Sequence, residues 1–126
     1  MTILGLGIDI VEISRIKDMV LRRGDQIARR LLAPAELERY FANHDKVRYL
    51  AKRFAAKEAL VKAFGTGIRN GLYFSQFELY SDKLGKPVLY LHDRAAVFAQ
   101  KAGIISIHVS LADERRYACA TVITEG

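Results

Sequence analysis

The chain has 126 residues, 51% of them hydrophobic and 27% charged, which is typical of one globular domain spanning residues 1–126. Twenty Lys and Arg against fourteen Asp and Glu give a net charge of +6, which suits an acidic protein, a nucleic acid or a phosphorylated small molecule as partner. The longest nearly apolar segment, residues 3–13, is far shorter than the roughly 20 residues of a membrane span. A single cysteine, Cys119, excludes an internal disulfide, and we expect a cytoplasmic protein without a membrane partner.

The first predicted elements are a strand and three short helices. Ile3–Val11 is rich in Ile and Leu and predicts a buried strand in which Gly5 and Gly7 let another backbone come close. The helices follow from start and stop signals: Arg15–Arg23 with Ser14 as N-cap and Gly24 after its end, a second helix opened by Asp25 and ending near Leu32, and Pro34–Ala42 with proline in the first turn.

The longest predicted helix is Lys46–Phe64, which contains no Gly or Pro and ends before Gly65. A glycine-rich loop, residues 65–71, follows it. The remaining elements are predicted as strands at Phe77–Ser81 and Val88–Leu91, a helix at Asp93–Lys101, and strands at Ile104–Leu111 and Tyr117–Thr124 around a polar turn. This order favours an α+β fold in which a small antiparallel sheet packs with one long and several short helices.

Asp9 is a charged residue in an apolar context. It lies between Ile8 and Ile10 in the strand that the sequence predicts to be buried. Burying an unpaired carboxylate costs several kcal/mol, so such a residue needs a partner. Asp9 is therefore a hydrogen-bonded structural residue, a residue at an exposed strand end, or part of a functional site.

Glu58 is a second carboxylate in an unexpected position. At 3.6 residues per turn it falls near the middle of an apolar stripe of the long helix, formed by Val47, Leu50, Ala51, Phe54 and Val61. A salt bridge to Lys62, four residues on, is worth only about 0.3–0.5 kcal/mol and is a weak reason to place a charge there. The alternative is that Glu58 points into a site that it shares with Asp9.

Two carboxylates in one site repel each other unless a proton or a cation lies between them. Oxygen ligands without sulfur or imidazole favour Mg²⁺, which completes its shell with water and substrate phosphate. The long helix also carries an excess of positive charge: residues 44–64 hold six Lys and Arg against two Asp and Glu, leaving +4. Part of this helix either binds a polyphosphate or presents an ordinary solvated basic face. The basic residues are Lys46, Arg48, Lys52, Arg53, Lys57 and Lys62.

Two further features are weaker signals. The glycines of the loop 65–71 allow backbone N–H groups to approach a ligand, although a plain surface loop is the better single interpretation. His108 alternates with apolar residues in its predicted strand and shares a face with Ser106 and Ser110. A structural role is the more common explanation for such a histidine.

Three motifs together are more specific than any one feature. They are GLGIDI at Gly5–Ile10, RFAAKEALVKAFGTG at Arg53–Gly67 and IHVSL at Ile107–Leu111, followed by YACATV at Tyr117–Val122. Over essentially the whole chain this combination resembles the bacterial holo-acyl-carrier-protein synthases, the short class of 4′-phosphopantetheinyl transferases. The resemblance implies an enzyme of fatty acid biosynthesis. It would transfer 4′-phosphopantetheine from coenzyme A to a serine of apo-acyl carrier protein, require Mg²⁺ and release adenosine 3′,5′-bisphosphate.

The resemblance also implies roles for individual residues. Asp9 and Glu58 match the metal ligands of the family, and Lys62 matches its phosphate-contacting lysine. Positions around coenzyme A are matched by Arg53, Lys62, Gly65, Thr66 and His108. Mg²⁺ on the two carboxylates would bridge the diphosphate of coenzyme A, while Lys62 adds positive charge where negative charge develops.

The family is typically a homotrimer with its sites between subunits. One subunit would supply Asp9 and Glu58 and its neighbour His108, and the first helix would dock the carrier protein with Arg15 and Arg22. The base that takes the serine proton is Glu58, directly or through a water on the metal ion, or alternatively His108. The catalytic residues are therefore expected to be Asp9, Glu58, Lys62 and His108.

Two other functions are compatible with parts of the sequence. The +6 charge and the basic helix suit a small nucleic-acid-binding protein, which leaves the two misplaced acids unexplained. A catalytically inactive Mg²⁺–nucleotide binder is the other alternative, although Asp9, Glu58 and Lys62 are all intact. We therefore expect coenzyme A and a carrier protein as partners, and no nucleic acid.

Overall fold

The structure, a computed structural model, describes residues 1–69 and 71–126. Its elements in chain order are β1 (Ile3–Glu12), α1 (Ile13–Arg23), α2 (Gln26–Leu31), α3 (Pro34–Ala42), α4 (Lys46–Phe64), a 3₁₀ turn (Phe74–Gln76), β2 (Phe77–Ser81), β3 (Pro87–Leu91), α5 (Asp93–Lys101), β4 (Ser106–Asp113) and β5 (Tyr117–Glu125). The predicted α+β class is confirmed. The predicted glycine-rich loop includes Asn70, which lies outside the described residues.

Helices α3, α4 and α5 have the predicted bounds because their end signals are strong. Helix α4 begins after Asp45, whose side chain accepts a hydrogen bond from the Arg48 backbone nitrogen at 3.1 Å, and ends at Gly65, which has a left-handed φ of 77°. One predicted cap is wrong, because Ser14 lies inside α1. Asp25 precedes α2 at its N-cap position as predicted, although its carboxylate accepts a hydrogen bond from the Tyr40 hydroxyl and none from the helix backbone.

Strands β1, β5 and β4 form an antiparallel sheet in the order β1–β5–β4, and β2 pairs with β3 in a separate antiparallel hairpin. In the three-stranded sheet, β4 begins two residues later than predicted and continues to Asp113. Within the described part of the chain, no helix is both long and apolar enough to cross a membrane.

The two faces of this sheet have different surroundings. Gly7 and Val11 are buried on the face that packs against α4, and Asp9 lies on the same face because side chains alternate along a strand. The opposite face, which we call the outer face, leaves Leu6, Ile8 and Ile10 between 62% and 65% exposed. The prediction that the first strand is buried is therefore wrong for every second residue. The apolar side chains at these alternate positions form a face of the sheet that a single chain leaves exposed to solvent.

Helix α4 is packed on nearly all sides, not along the single stripe that its periodicity predicts. Val47 and Phe54 from that stripe are only half-buried. Small residues let the helix lie close to β1 and β5 on one side and to the short helices on the other. The buried residues outside the predicted stripe are Tyr49, Ala55, Ala56, Lys57, Ala59, Leu60 and Ala63.

Glycines in β1 bring the strand unusually close to α4, as the sequence predicts. A Cβ atom placed on Gly7 would lie 1.9 Å from the backbone oxygen of Ala59, and one on Gly5 would lie 2.0 Å from that of Ala63. Because the obstructing atoms belong to the helix backbone, no side-chain rotation relieves either overlap. This contact fixes the distance between α4 and the strand that carries Asp9.

We expect Gly7→Ala to lower the free energy of unfolding by more than about 3 kcal/mol, since the added methyl group forces β1 away from α4. Urea unfolding followed by circular dichroism measures the change. Leu84→Ala is the matched control, because Leu84 is 95% exposed and should change the unfolding free energy by less than about 0.5 kcal/mol. A Gly7→Ala protein as stable as the control would contradict this prediction, because it would show that β1 can move away from α4 without loss of unfolding free energy.

Candidate active site

Asp9 is paired with a lysine from α4. Its Oδ1 atom accepts a hydrogen bond from Lys62 Nζ at 3.0 Å, and the same ammonium donates to the backbone oxygen of Ile8 at 2.9 Å. The Asp9 side chain is only 15% exposed, whereas that of Lys62 is 52% exposed. Lys62, which pairs with the mostly buried Asp9 carboxylate, therefore approaches it from the solvent side and can turn toward a substrate.

Glu58 lies one turn before Lys62 on α4 and is half-buried. Burial raises the pKa of its carboxyl group, and the negative charge of Asp9 raises this pKa further, while Lys62 and Arg15 act in the opposite direction. The structure thus brings Asp9, Glu58 and Lys62 together. The Lys62 ammonium pairs with Asp9 across the strand and not with Glu58 along the helix.

The two carboxylates of this group, Asp9 and Glu58, fit Mg²⁺. They offer only oxygen atoms as ligands, and a bound cation relieves the repulsion between two carboxylates. In residues 1–69 and 71–126, no group of three or more His, Cys, Asp and Glu side chains could hold a metal ion. Mg²⁺ suits a two-carboxylate site because it usually keeps several waters and binds substrate phosphate as well.

The predicted residues Gly65 and Thr66 lie directly after α4, one turn beyond Lys62. Gly65 ends the helix, and Thr66 lines a cavity of about 370 Å³. The rest of this cavity is lined by both apolar and basic side chains. Its other lining residues are Arg69, Leu72, Arg94, Val97, Phe98 and Lys101.

Arg53 does not join Asp9 and Glu58 within one chain. It lies five residues before Glu58, a rotation of about 140° around the helix axis. Its guanidinium carbon lies 3.7 Å from the centre of the Tyr49 ring, and burial lowers the pKa of the guanidinium. The side chain lines a second cavity, of about 440 Å³, together with Lys52, Lys86 and Ser110.

His108 lies on the outer face of the sheet, as its register shows. It is directly opposite Ile123 on β5, which is directly opposite Leu6 on β1, and opposed residues share a face. Its Nε2 atom lies 3.0 Å from Glu125 Oε1. Asp9 points to the other face, so the sheet itself separates these two residues in a single chain.

Arg15 and Arg22 are exposed on α1, and the charge of Arg15 reaches Glu58. The same helix also exposes Lys17, Arg23 and the apolar Leu21, which is 74% exposed. Helix α1 therefore presents a basic surface that carries Arg15 near Glu58 and also exposes the apolar Leu21.

The prediction for Lys57 is wrong. The sequence groups it with the basic residues of α4 that could bind a polyphosphate, but its side chain is completely buried and pairs with the equally buried Glu36. Burial lowers the pKa of this ammonium to about 8. The signal in the sequence is the alanines that flank Lys57, such as Ala56 and Ala59. They indicate a helix that is buried on more than one face, so a lysine among them can be buried too.

Comparisons with known proteins point to one family. The sequence model of the 4′-phosphopantetheinyl transferase superfamily matches residues 5–122. The holo-[acyl-carrier-protein] synthase of Edwardsiella ictaluri is 68% identical over 126 residues, covering 100% of both chains. The solved holo-[acyl-carrier-protein] synthase of Neisseria meningitidis superposes with a TM-score of 0.95 at 38% identity, covering 99% of this chain and 100% of that one. The Helicobacter pylori synthase, solved in complex with coenzyme A, has a TM-score of 0.83 at 30% identity, covering 95% and 99%.

Proposed function

This chain belongs to the 4′-phosphopantetheinyl transferase superfamily, and we propose that it performs its transfer with Asp9, Glu58 and Lys62 as the central residues. It is an enzyme that moves 4′-phosphopantetheine from coenzyme A to a serine of an apo-acyl carrier protein. The observation that carries the residue assignment is the meeting of two carboxylates and one half-exposed ammonium at the β1–α4 contact.

In this reaction the serine oxygen attacks the phosphorus atom that carries pantetheine. A bond from that phosphorus to the bridging oxygen of the diphosphate breaks, and adenosine 3′,5′-bisphosphate leaves with the bond electrons. Lys62, whose ammonium is half-exposed, places positive charge beside the phosphoryl oxygens. Glu58, half-buried beside Asp9 and Lys62, accepts the serine proton, or His108 of a neighbouring copy does so instead.

Asp9 and Glu58 are the residues that would hold Mg²⁺. When bound, this ion supplies positive charge and oxygen coordination for the diphosphate. The chain's own contribution is to hold two carboxylates at a fixed separation, through the close contact of Gly7 with α4. Lys62 can turn from Asp9 toward the diphosphate because its own side chain is 52% exposed.

We propose that complete sites form between copies of the chain, in a homotrimer. The outer face of the sheet exposes Leu6, Ile8 and Ile10, and a contiguous apolar patch of this kind is typical of a protein interface. His108 lies on that same face. A neighbouring copy seated there would receive His108 beside its own carboxylate pair, which no single chain can arrange.

We propose that α1 docks the carrier protein through Arg15 and Arg22. Both side chains are exposed, and Arg15 lies near enough to Glu58 to influence its charge. Carrier proteins are acidic, so the net charge of +6 favours their encounter with this surface.

Arg22→Glu should lower kcat/KM for the carrier protein about tenfold at low ionic strength and leave KM for coenzyme A unchanged. Reversing one charge removes attraction at the docking surface without touching the carboxylate pair. Steady-state kinetics at several salt concentrations measures the effect, which should shrink as salt is added. Lys83→Glu makes the same change on the exposed β2–β3 turn and is the matched control. Equal losses in both variants would contradict docking on α1.

The function and its metal requirement are tested by intact mass spectrometry of an apo-acyl carrier protein. After incubation with this protein, coenzyme A and Mg²⁺, the carrier should gain the mass of one phosphopantetheine, and EDTA should abolish the gain. A gain that persists in EDTA would remove Mg²⁺ from the proposal but leave the transfer. No gain with several carrier proteins, from a folded sample, would overturn the function.

A further inference from the structure

A completely buried ion pair links α4 to three other parts of the fold. The Lys57 ammonium donates three hydrogen bonds, to Glu36 Oε1 and to the backbone oxygens of Leu31 and Phe74. Both charged side chains are 0% exposed. An ammonium has three protons, so Lys57 has no hydrogen-bonding capacity left for a substrate. The lysine beside Glu58 therefore acts on the protein and not on the ligand.

Glu36 is the acceptor around which this cluster is built. Its Oε1 atom accepts hydrogen bonds from Lys57 and from the backbone nitrogen of Ala33, at 2.9 Å for the latter. Its Oε2 atom accepts from the backbone nitrogen of Leu79 at 3.0 Å. The carboxylate is thus fully engaged by one cation and two backbone groups.

Arg53 approaches the same carboxylate without bonding to it. Its Nε atom lies 3.9 Å from Glu36 Oε2, too far for a hydrogen bond, and among the described residues this buried atom has no hydrogen-bond partner. The guanidinium rests on the Tyr49 ring, whose hydroxyl donates to the backbone oxygen of Glu36 at 3.1 Å. Arg53 is therefore held at the cavity wall by stacking on Tyr49 and by a long ion pair with Glu36, without a hydrogen bond to that carboxylate.

The charges of the cluster do not cancel. Lys57 and Arg53 contribute two positive charges against the one negative charge of Glu36. The next charged neighbours, Arg39 and Glu78, are paired with each other. One positive charge remains over, and it lies on the side chain that lines the 440 Å³ cavity.

We propose that Lys57 is a positioning residue, which neutralises Glu36 and so leaves the Arg53 guanidinium available for an anionic group of coenzyme A. This rests on the proposed function, in which Arg53 contacts coenzyme A. Without Lys57 the buried carboxylate would lack a compensating cation, and the nearest one is Arg53. The guanidinium would then turn onto Glu36 and away from the cavity.

The test is a set of four variants with KM for coenzyme A and kcat measured separately. Lys57→Met, which keeps the length of the side chain without its charge, should raise KM about tenfold and change kcat less than about threefold. Arg53→Ala should raise KM by a similar factor, and the double variant Lys57→Met/Arg53→Ala should be no worse than Arg53→Ala alone. The variant Glu36→Gln/Lys57→Met removes both buried charges and should return KM to within about threefold of wild type.

Two controls separate this role from a structural one. Leu60→Ala destabilises the same helix at a fully buried, uncharged position and should leave KM for coenzyme A unchanged. If Lys57→Met does not fold, the charge-free double variant alone decides, because a large KM increase in that folded protein contradicts the proposal. Additive losses from Lys57→Met and Arg53→Ala would also overturn it. Failure of the proposed function looks different, since wild-type protein itself would then leave the carrier unmodified.

Discussion

Asp9→Asn is expected to lower kcat/KM for phosphopantetheine transfer by about a thousandfold, equivalent to roughly 4 kcal/mol of transition-state stabilisation. The amide keeps the shape of the side chain but removes the negative charge that would hold Mg²⁺ with Glu58. Mass spectrometry of the carrier protein over a time course measures the rate, and a titration with Mg²⁺ shows whether excess metal restores it.

The structure predicts that this variant folds normally. The amide oxygen of Asn can still accept a hydrogen bond from the half-exposed Lys62, and the hydrogen bond from Lys62 to the Ile8 backbone oxygen does not involve the carboxylate. Glu38→Gln is the matched control, because it makes the same chemical change on an exposed carboxylate. If Asp9→Asn retains more than about a tenth of wild-type kcat/KM, Asp9 is not a metal ligand on which catalysis depends.

Mixing two inactive variants should restore activity. Asp9→Asn and His108→Ala each damage one side of a site that, as we propose, is shared between copies. In a trimer that contains both variants, one site in three combines an intact Asp9 with an intact neighbouring His108, so about a third of wild-type activity should return. Co-expression with two different affinity tags, followed by tandem purification, provides the mixed assemblies.

The prediction follows from the sheet, which keeps Asp9 and His108 on opposite faces of one chain. Two separately purified variants that are combined without subunit exchange serve as the control and should stay inactive. Absence of recovery in confirmed mixed assemblies would place the complete site within one chain. Full activity of His108→Ala alone would remove this histidine from the site.

Much of the fold was predictable because its signals are local. Pro34 starts α3, Asp45 caps α4 and Gly65 ends it, and all three act through the backbone of their own segment. The meeting of Asp9 with Lys62 and Glu58 was predictable for a different reason. A carboxylate in an apolar pattern needs a partner, and the chain offers few misplaced charges to supply one.

The errors concern partners that are distant in the sequence. Lys57 resembles any other basic residue of α4 until Glu36, 21 residues earlier, is known to meet it in the core. The outer face of β1 was predicted to be buried because Ile8 and Ile10 are apolar. Apolar residues require cover, but their pattern does not distinguish cover by the same chain from cover by another copy.

Helix α4 also fixes spacing along the chain. Four functional side chains lie on this one continuous helix: the stacked guanidinium of Arg53, the buried ammonium of Lys57, the carboxylate of Glu58 and the half-exposed ammonium of Lys62. One inserted residue between Arg53 and Glu58 would turn everything after it by about 100° and shift it by about 1.5 Å. Lys62 would then miss Asp9, while an insertion at Leu84, at the exposed tip of the β2–β3 turn, would move none of these groups. Insertions and deletions between Arg53 and Lys62 should therefore abolish the site, because the number of residues in this part of the helix fixes the distances and angles between its functional side chains.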